Sequence, residues 1–276
     1  MGSFSKRMSM RSMRSMPLGM SLVVGFSCLV LLGFLSLPIL SLFFSITPEQ
    51  IWNALHNPHL KSSLLLSIGT TAVSAAIILL LGTPVAYVLA RMEFRGKGLL
   101  SLIVDLPMVI PPSVAGIGLL LAFGRRSPLG GWLAEHGLPI SFTMAAVVMA
   151  QVFIAAPFFI RSARVGFLAA DAEMEAMARS LGAGWWLTFR RITLQLARPY
   201  LVSGLLTSWA RALGEFGATI MFAGNFLGKT ETMPLAIYSA MNEDLGVAIV
   251  LANLLLLLSI TLMVLVRLFP VRKDVL

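Results

Sequence analysis

Residues 173–186 read EMEAMARSLGAGWW, a charged, glycine-punctuated stretch set between long apolar runs. Its reading decides the fold, because the rest of the chain answers to bilayer physics and this piece does not. Asp171 stands just ahead of it as an N-cap, and Glu173 and Glu175 put negative charge in the first turn, where backbone N–H groups lack partners. Gly182 follows Leu181 as a stop. Between these limits Met174, Met177, Ala178 and Leu181 fall at i, i+3, i+4 and i+7, one apolar stripe on a short helix. A helix of about three turns is marginal alone, so the stripe needs a cover: the membrane surface, the rest of the chain, or a partner. A helix lying on a membrane favours Lys and Arg on its polar face. This one carries acids early and Arg179 late, which favours a partner.

The composition sets the frame. The chain has 276 residues, 58% of them hydrophobic and 12% charged, where soluble domains carry about 25% charge. It is an integral membrane protein by this measure. A formal charge of +9 suggests nucleic acid as a partner, but the basic residues flank apolar segments instead of alternating with aromatics on a polar face, which excludes that class. The single cysteine, Cys28, lies in an apolar run and excludes a disulfide framework or a cysteine metal site within one chain. The N-terminal MGSFSKRMSMRSMRSM is basic, yet the apolar run after it lacks a small-x-small cleavage site, so a spanning helix is expected rather than a signal peptide.

A spanning helix needs about 20 mostly apolar residues. Six segments qualify: Leu22 to Phe44, Leu64 to Ala90, Leu99 to Phe123, Phe142 to Ile160, Tyr200 to Phe222 and Leu245 to Val266. Pro48, Gly124 and Pro270 punctuate their ends. Sixteen of the 21 Lys and Arg residues fall on one set of ends, including both termini and the 161–198 region. Lys61, Arg125, Arg126 and Lys229 fall on the other. Excess positive charge marks the cytoplasmic side. The expected fold is an all-α membrane protein of six transmembrane helices with both termini inside, and a short cytoplasmic helix between the fourth and fifth. Residues 1–17 form an arm, 18–270 a single transmembrane domain containing the 171–196 loop, and 271–276 a tail.

The stretch EAMARSLGAGWWLTFRRITLQL (175–196) resembles the cytoplasmic EAA loop of ABC-importer membrane subunits. Glu175, Ala176, Ala178, Gly182, Ile192 and Leu194 match that pattern, while Met177 replaces a usual Ala and Gln195 a usual Pro. Pro199, four residues later, then stands in as the start signal for the next helix. DLPMVIPPSVAGIGLLLAFG (105–124), QVFIAAPFFIRSARVGF (151–167) and RALGEFGATIMFAGNFLGKTETMPLAIY (211–238) are similar to molybdate-type permeases, the oxyanion branch that includes sulfate and tungstate importers. The resemblance spans about residues 60 to 268. It implies a multi-pass subunit of the cytoplasmic (inner) membrane that imports molybdate, or a related oxyanion such as sulfate or tungstate, by alternating access. It also implies that Met174, Glu175, Ala176, Ala178, Leu181 and Gly182 form a coupling helix docking into an ATPase. The implied assembly is a homodimer with two cytoplasmic ATPase subunits, which bind ATP and Mg, and an external or periplasmic binding protein. This chain itself would carry no cofactor and no catalysis. A stand-alone secondary transporter or channel is the second class, and a membrane enzyme the third.

Ionisable groups at bilayer depth cost at least about 2.5–3.5 kcal/mol each, so each calls for a function. Arg211 and Glu215 stand one helical turn apart in the fifth segment, with Ser208 and Thr219 extending the stripe. At about 1.5 Å per residue, Arg211 lies roughly 16 Å from Tyr200, near mid-membrane. The residues alone leave two readings open, a neutralised pair joining helices or a face of the translocation path. After Asp105, the density of Pro107, Pro111, Pro112, Gly116 and Gly118 predicts a kinked or discontinuous third helix, which brings Pro111, Pro112 and Ser113 to the candidate path. GNFLGKT (224–230) resembles a phosphate-binding loop, but three residues, not four, separate its glycines and no strand precedes it. His56 and His59 flank Pro58 without a nearby carboxylate in sequence, which argues against a metal site.

Overall fold

The computed structural model describes residues 18–268, which form helices, turns and loops, with no strand among the described residues. The expected arm, Pro270 and the tail lie outside them. The chain divides into two compact units, residues 1–47 and 48–276. In the first unit, α1 (Leu18–Phe44) is apolar around its whole circumference, as a helix whose neighbours are hydrocarbon must be.

The second unit begins with α2 (Pro48–His56), α3 (Pro58–Arg91) and α4 (Lys97–Asp105), then a 3-10 turn at Leu106–Met108. There follow α5 (Pro112–Phe123), α6 (Pro128–Glu135), α7 (Met144–Ala169), α8 (Ala172–Ser180) and α9 (Trp185–Thr188). A π-helical segment, Phe189–Thr193, leads into α10 (Leu194–Leu213), and α11 (Gly217–Ala223), α12 (Met233–Glu243) and α13 (Leu245–Leu268) complete the unit.

Among the described residues four helices are long and apolar enough to cross a membrane: α1, α3, α7 and α13. The expected third span is a bent pair, Lys97–Met108 and Pro112–Phe123, turned by 115°. Pro107, Pro111 and Pro112 remove three backbone donors within six residues there, and the chain turns where the helical ladder fails. Counting the pair as one crossing gives five. The expected fifth span, Tyr200 to Phe222, is not one helix, because α10 stops at Leu213 and α11 starts at Gly217. At its other end α10 reaches back to Leu194, so Pro199 sits inside it and does not start it. The expected fourth span runs further than anticipated, from Met144 to Ala169, after Phe142 turns with φ 62°.

In lipid, apolar burial does little to hold helices together, and close packing and interhelical hydrogen bonds take over. The core of the second unit uses both. α3, α7 and α10 meet around the fully buried Phe159 and Phe167. Gly204 faces Ser162 so closely that a Cβ there would lie 2.7 Å from the serine Cβ, and one on Gly166 would lie 2.6 Å from the Cβ of Tyr200. Glycine on each helix thus receives a side chain from the other. Ser162 adds a hydrogen bond to the Tyr200 carbonyl, 2.8 Å.

A row of buried hydroxyls on α3, Ser63, Ser67, Thr70, Thr71 and Ser74, does the rest. Ser67 Oγ accepts the Met233 N–H at the start of α12 (2.7 Å), and Thr71 Oγ1 accepts the Trp209 indole N–H from α10 (2.9 Å). Ser74 donates to Gln151 Oε1 on α7 (2.8 Å), whose amide nitrogen donates back to Thr70 Oγ1 (3.1 Å). α3 is therefore fastened by side-chain hydrogen bonds to three other helices.

Candidate functional site

α8 forms as its caps dictate. Asp171 Oδ1 accepts the Glu173 N–H at 2.8 Å, and at the other end Gly182, at φ 87°, takes the left-handed turn that a side chain would oppose. The Gly182 and Ala183 N–H groups then satisfy the carbonyls of Arg179 and Ala178, both at 3.0 Å. Along the stripe Met174, Met177 and Leu181 are 50%, 66% and 84% exposed, while Ala178 is half-buried. Ala176 is exposed as well. Among the described residues nothing covers the exposed faces of the methionines and the leucine.

Glu175 turns inward instead. Its Oε1 accepts a hydrogen bond from Arg91 Nη2 at the end of α3 and another from Thr193 Oγ1 in the π-helical segment, both at 2.8 Å. The same arginine nitrogen donates to the Ala170 carbonyl just past α7, also at 2.8 Å. The two charged side chains are 20% and 13% exposed. One carboxylate thus joins the short helix to the ends of α3 and α7 and to the approach to α10. Trp185 and Trp186 follow at more than half exposure, and Trp185 stacks on Phe189 with ring centroids 5.5 Å apart.

The second candidate region is the pair of helix breaks. Arg211 Nη1 and Glu215 Oε2 pair at 2.7 Å, with Glu215 1% exposed. Glu215 is not on the helix of its partner; it lies in the gap after α10, and its Oε1 accepts the Ala218 N–H at 2.8 Å, capping α11. The carboxylate satisfies a helix N-terminus that would otherwise be orphaned among apolar side chains. Ser208 and Thr219 are fully buried; Ser208 donates to the Leu205 carbonyl (3.0 Å), and Thr219 Oγ1 has no hydrogen-bond partner among the described residues.

The two breaks are brought together. A Cβ on Gly217 would lie 2.9 Å from Pro112 Cβ, and one on Gly116 would lie 2.7 Å from the Ala218 carbonyl oxygen, so glycines allow α5 and α11 to touch along their backbones. Pro111 is exposed at this junction, and Pro112 and Ser113 are half-buried. Ahead of the first break Asp105 holds Arg161 of α7 through two bonds of 2.8 and 3.2 Å, a link between segments that local sequence does not announce.

A further polar cluster went unread in the sequence. His59 Nδ1 lies 2.7 Å from Glu231 Oε2, with Glu243 Oε2 3.8 Å from the other ring nitrogen. Ser239 donates to Glu231 Oε1 (3.2 Å) and receives a hydrogen bond from Asn225 (2.8 Å). Carboxylates distant in sequence thus reach His59, but no set of three or more His, Cys, Asp or Glu fit to hold a metal ion occurs among the described residues. The GNFLGKT loop closes on itself, Thr230 Oγ1 accepting the Phe226 N–H (3.1 Å), and sets the buried Glu231 beside it where a phosphate would be repelled. The hydroxyl row of α3 did have a sequence signal, since its five members recur at helical spacing within SSLLLSIGTTAVS.

Residues 82–274 match the model of a family described as binding-protein-dependent transport system inner membrane component. The chain is 40% identical over 230 residues to the molybdenum transport system permease protein ModB of Mycobacterium tuberculosis, covering 82% of this chain and 86% of that one. It is 37% identical over 239 residues to the probable transport system permease protein NifC of Clostridium pasteurianum, covering 86% and 83%. Among solved structures it is similar in fold to a chain of a bacterial alginate ABC transporter crystallised in complex with an alginate-bound periplasmic protein. The TM-score is 0.71 at 13% identity, over 90% of this chain and 92% of that one.

Proposed function

We propose a function from the premise that the chain belongs to the family of binding-protein-dependent transport system inner membrane components: it is the permease subunit of an ABC importer for molybdate or a closely related tetrahedral oxyanion. Its place is the inner membrane, which it crosses several times. Relatives concerned with molybdenum transport, matched over most of both chains, support the anion class. The observation that carries the coupling role is the exposed row of Met174, Met177 and Leu181 on a capped helix. A stripe of that kind on a helix held rigidly from behind is suited to the groove of another protein.

In this reading α8 lies on the cytoplasmic side, the chain makes six crossings with both termini inside, and residues 18–270 act as one transmembrane domain. The broken third and fifth segments each count as one crossing. Two copies enclose the path, two ATPase subunits bind the coupling helices and handle ATP and Mg, and a periplasmic binding protein delivers the anion. ATP-driven closure of the ATPases moves the two α8 helices together and shifts the permease between inward and outward access, because ATP favours one of the two states.

The breaks around Pro111, Pro112, Ser113 and Glu215 mark the candidate path, since irregular backbone at membrane depth belongs beside a cavity or inside protein. Arg211 offers the anion a positive charge that Glu215 tempers. Ser208 and Thr219, whose hydroxyl has no partner among the described residues, extend this polar stripe in the same reading. The test is uptake into vesicles holding the chain with its ATPase and binding protein. ATP-dependent molybdate uptake that excess sulfate does not suppress is expected. Uptake without ATP, or without the ATPase, would instead support the stand-alone transporter.

A further inference from the structure

Arg91 belongs to no segment in which a coupling role was anticipated, yet its guanidinium ties α8 to the end of α3 and to the segment just past α7. Nη2 serves two acceptors, the Ala170 carbonyl and Glu175 Oε1, each at 2.8 Å. Nε, the other nitrogen on that edge, is buried and has no hydrogen-bond partner among the described residues. An arginine edge is shaped to grip a carboxylate with two parallel bonds, and a buried donor left unused carries a desolvation penalty. The grip on the carboxylate is therefore half-made: Nη2 spends its two N–H groups on two acceptors while the N–H of Nε has none among the described residues.

We propose that Arg91 is a positioning residue that transmits movement of α8 to α3, its grip on Glu175 passing from one bond to two as α8 is displaced. The proposal rests on the reading of α8 as the ATPase-docking helix. α3 is suited to receive the movement. It is an unbroken run of 34 residues, about 50 Å long at 1.5 Å per residue. Its buried hydroxyls fasten it to α7, α10 and α12, and His59, near its far end, holds Glu231. Displacing the Arg91 end therefore displaces one continuous helix whose other half, from His59 to Ser74, is fastened to its neighbours. Thr193 on the same carboxylate oxygen makes the approach to α10 follow. Glu175 in this scheme faces its own chain, and the ATPase meets Met174, Met177 and Leu181.

The test uses the full chain assembled with its ATPase and binding protein in vesicles, reading ATPase retention, ATP hydrolysis and molybdate uptake together. Arg91→Lys keeps the charge but cannot make two parallel bonds to a carboxylate. It is expected to assemble and hydrolyse ATP while uptake per ATP falls roughly fivefold or more, the lower end of usual coupling factors. Glu175→Gln should lower the ratio similarly, and the double variant should be no worse than either single one, as befits a shared contact. Arg91→Lys with an unchanged uptake-to-ATP ratio overturns the proposal, as does a double variant whose losses simply multiply. Loss of ATPase from Arg91→Lys also overturns it, because the residue would then serve docking. Failure of the unaltered assembly to take up molybdate with ATP refutes the permease reading instead.

Discussion

Glu175 and Glu215 are both bonded to an arginine and to a second donor, and both sit at a helix too short to stand alone, yet the helices they serve differ. Glu215 caps α11, whose Ala218, Thr219, Phe222 and Ala223 are buried, and the carboxylate completes an element enclosed by its own chain. Glu175 fixes the inner side of α8 while Met174, Met177 and Leu181 remain uncovered. The same electrostatic device therefore finishes a structure in one place and presents a surface in the other. On the proposed reading, what marks α8 as a docking element is the unspent apolar face, since a buried or half-buried ion pair occurs in both.

The largest effect is expected inside. Glu215→Ala leaves the Arg211 guanidinium without its carboxylate and Ala218 without its cap, a loss of about 3–5 kcal/mol by the usual cost of removing one partner of a buried pair. Thermal unfolding in detergent should show it, and an unchanged midpoint would remove the structural role given to Glu215. On α8 the order of effects reverses between stability and binding. Met177→Asp with Leu181→Asp should leave unfolding unmoved but cost at least about 2 kcal/mol of ATPase affinity, as anchors at an interface do, read by copurification against ATPase concentration. Retention at wild-type affinity would break the comparison.

Asp171→Ala deletes the cap of α8 and should cost about 1 kcal/mol, visible as faster amide exchange confined to residues 172–181. Exchange spread through α7 and α10 would mean that α8 is not a separate cooperative piece. The smallest effect is expected at the Lys97–Glu93 pair, whose lysine is half-buried but whose carboxylate stands in solvent, and where Lys97→Ala should shift stability by less than about 0.5 kcal/mol.

Most of α8 was legible in the sequence because its signals are local. The Asp171 cap, the stripe and the Gly182 stop all lie within one short window, and the structure has them where the pattern put them. The bend of the third segment was equally plain, since proline acts on its own neighbourhood. The gap between Leu213 and Gly217 was less legible, because Gly214 and Gly217 in GEFG serve close helix packing as readily as a hinge, and the helix ends where a side chain takes over a backbone amide. Pro199 misled for the converse reason: a helix packed against α7 through glycine notches tolerates a proline that an isolated helix would not. Arg91 and Glu175 stand 84 positions apart and His59 and Glu231 stand 172 apart, so no window of periodicity could unite them. The helical faces were readable, whereas the pairing of faces depends on the packed tertiary arrangement.

The hydroxyl row of α3 has one more consequence. Ser67, Thr70, Thr71 and Ser74 are all engaged, each with a partner on another helix or with the turn before it. Polar groups through the depth of a membrane protein are the material of a water file, and a water file conducts protons. Because Thr70, Thr71 and Ser74 turn their hydroxyl protons to carbonyl oxygens, which have no proton to pass on, the row is not a continuous relay. The helix can be rich in oxygen along its buried face and still insulate, so that an idle transporter need not discharge the gradient of the membrane it serves.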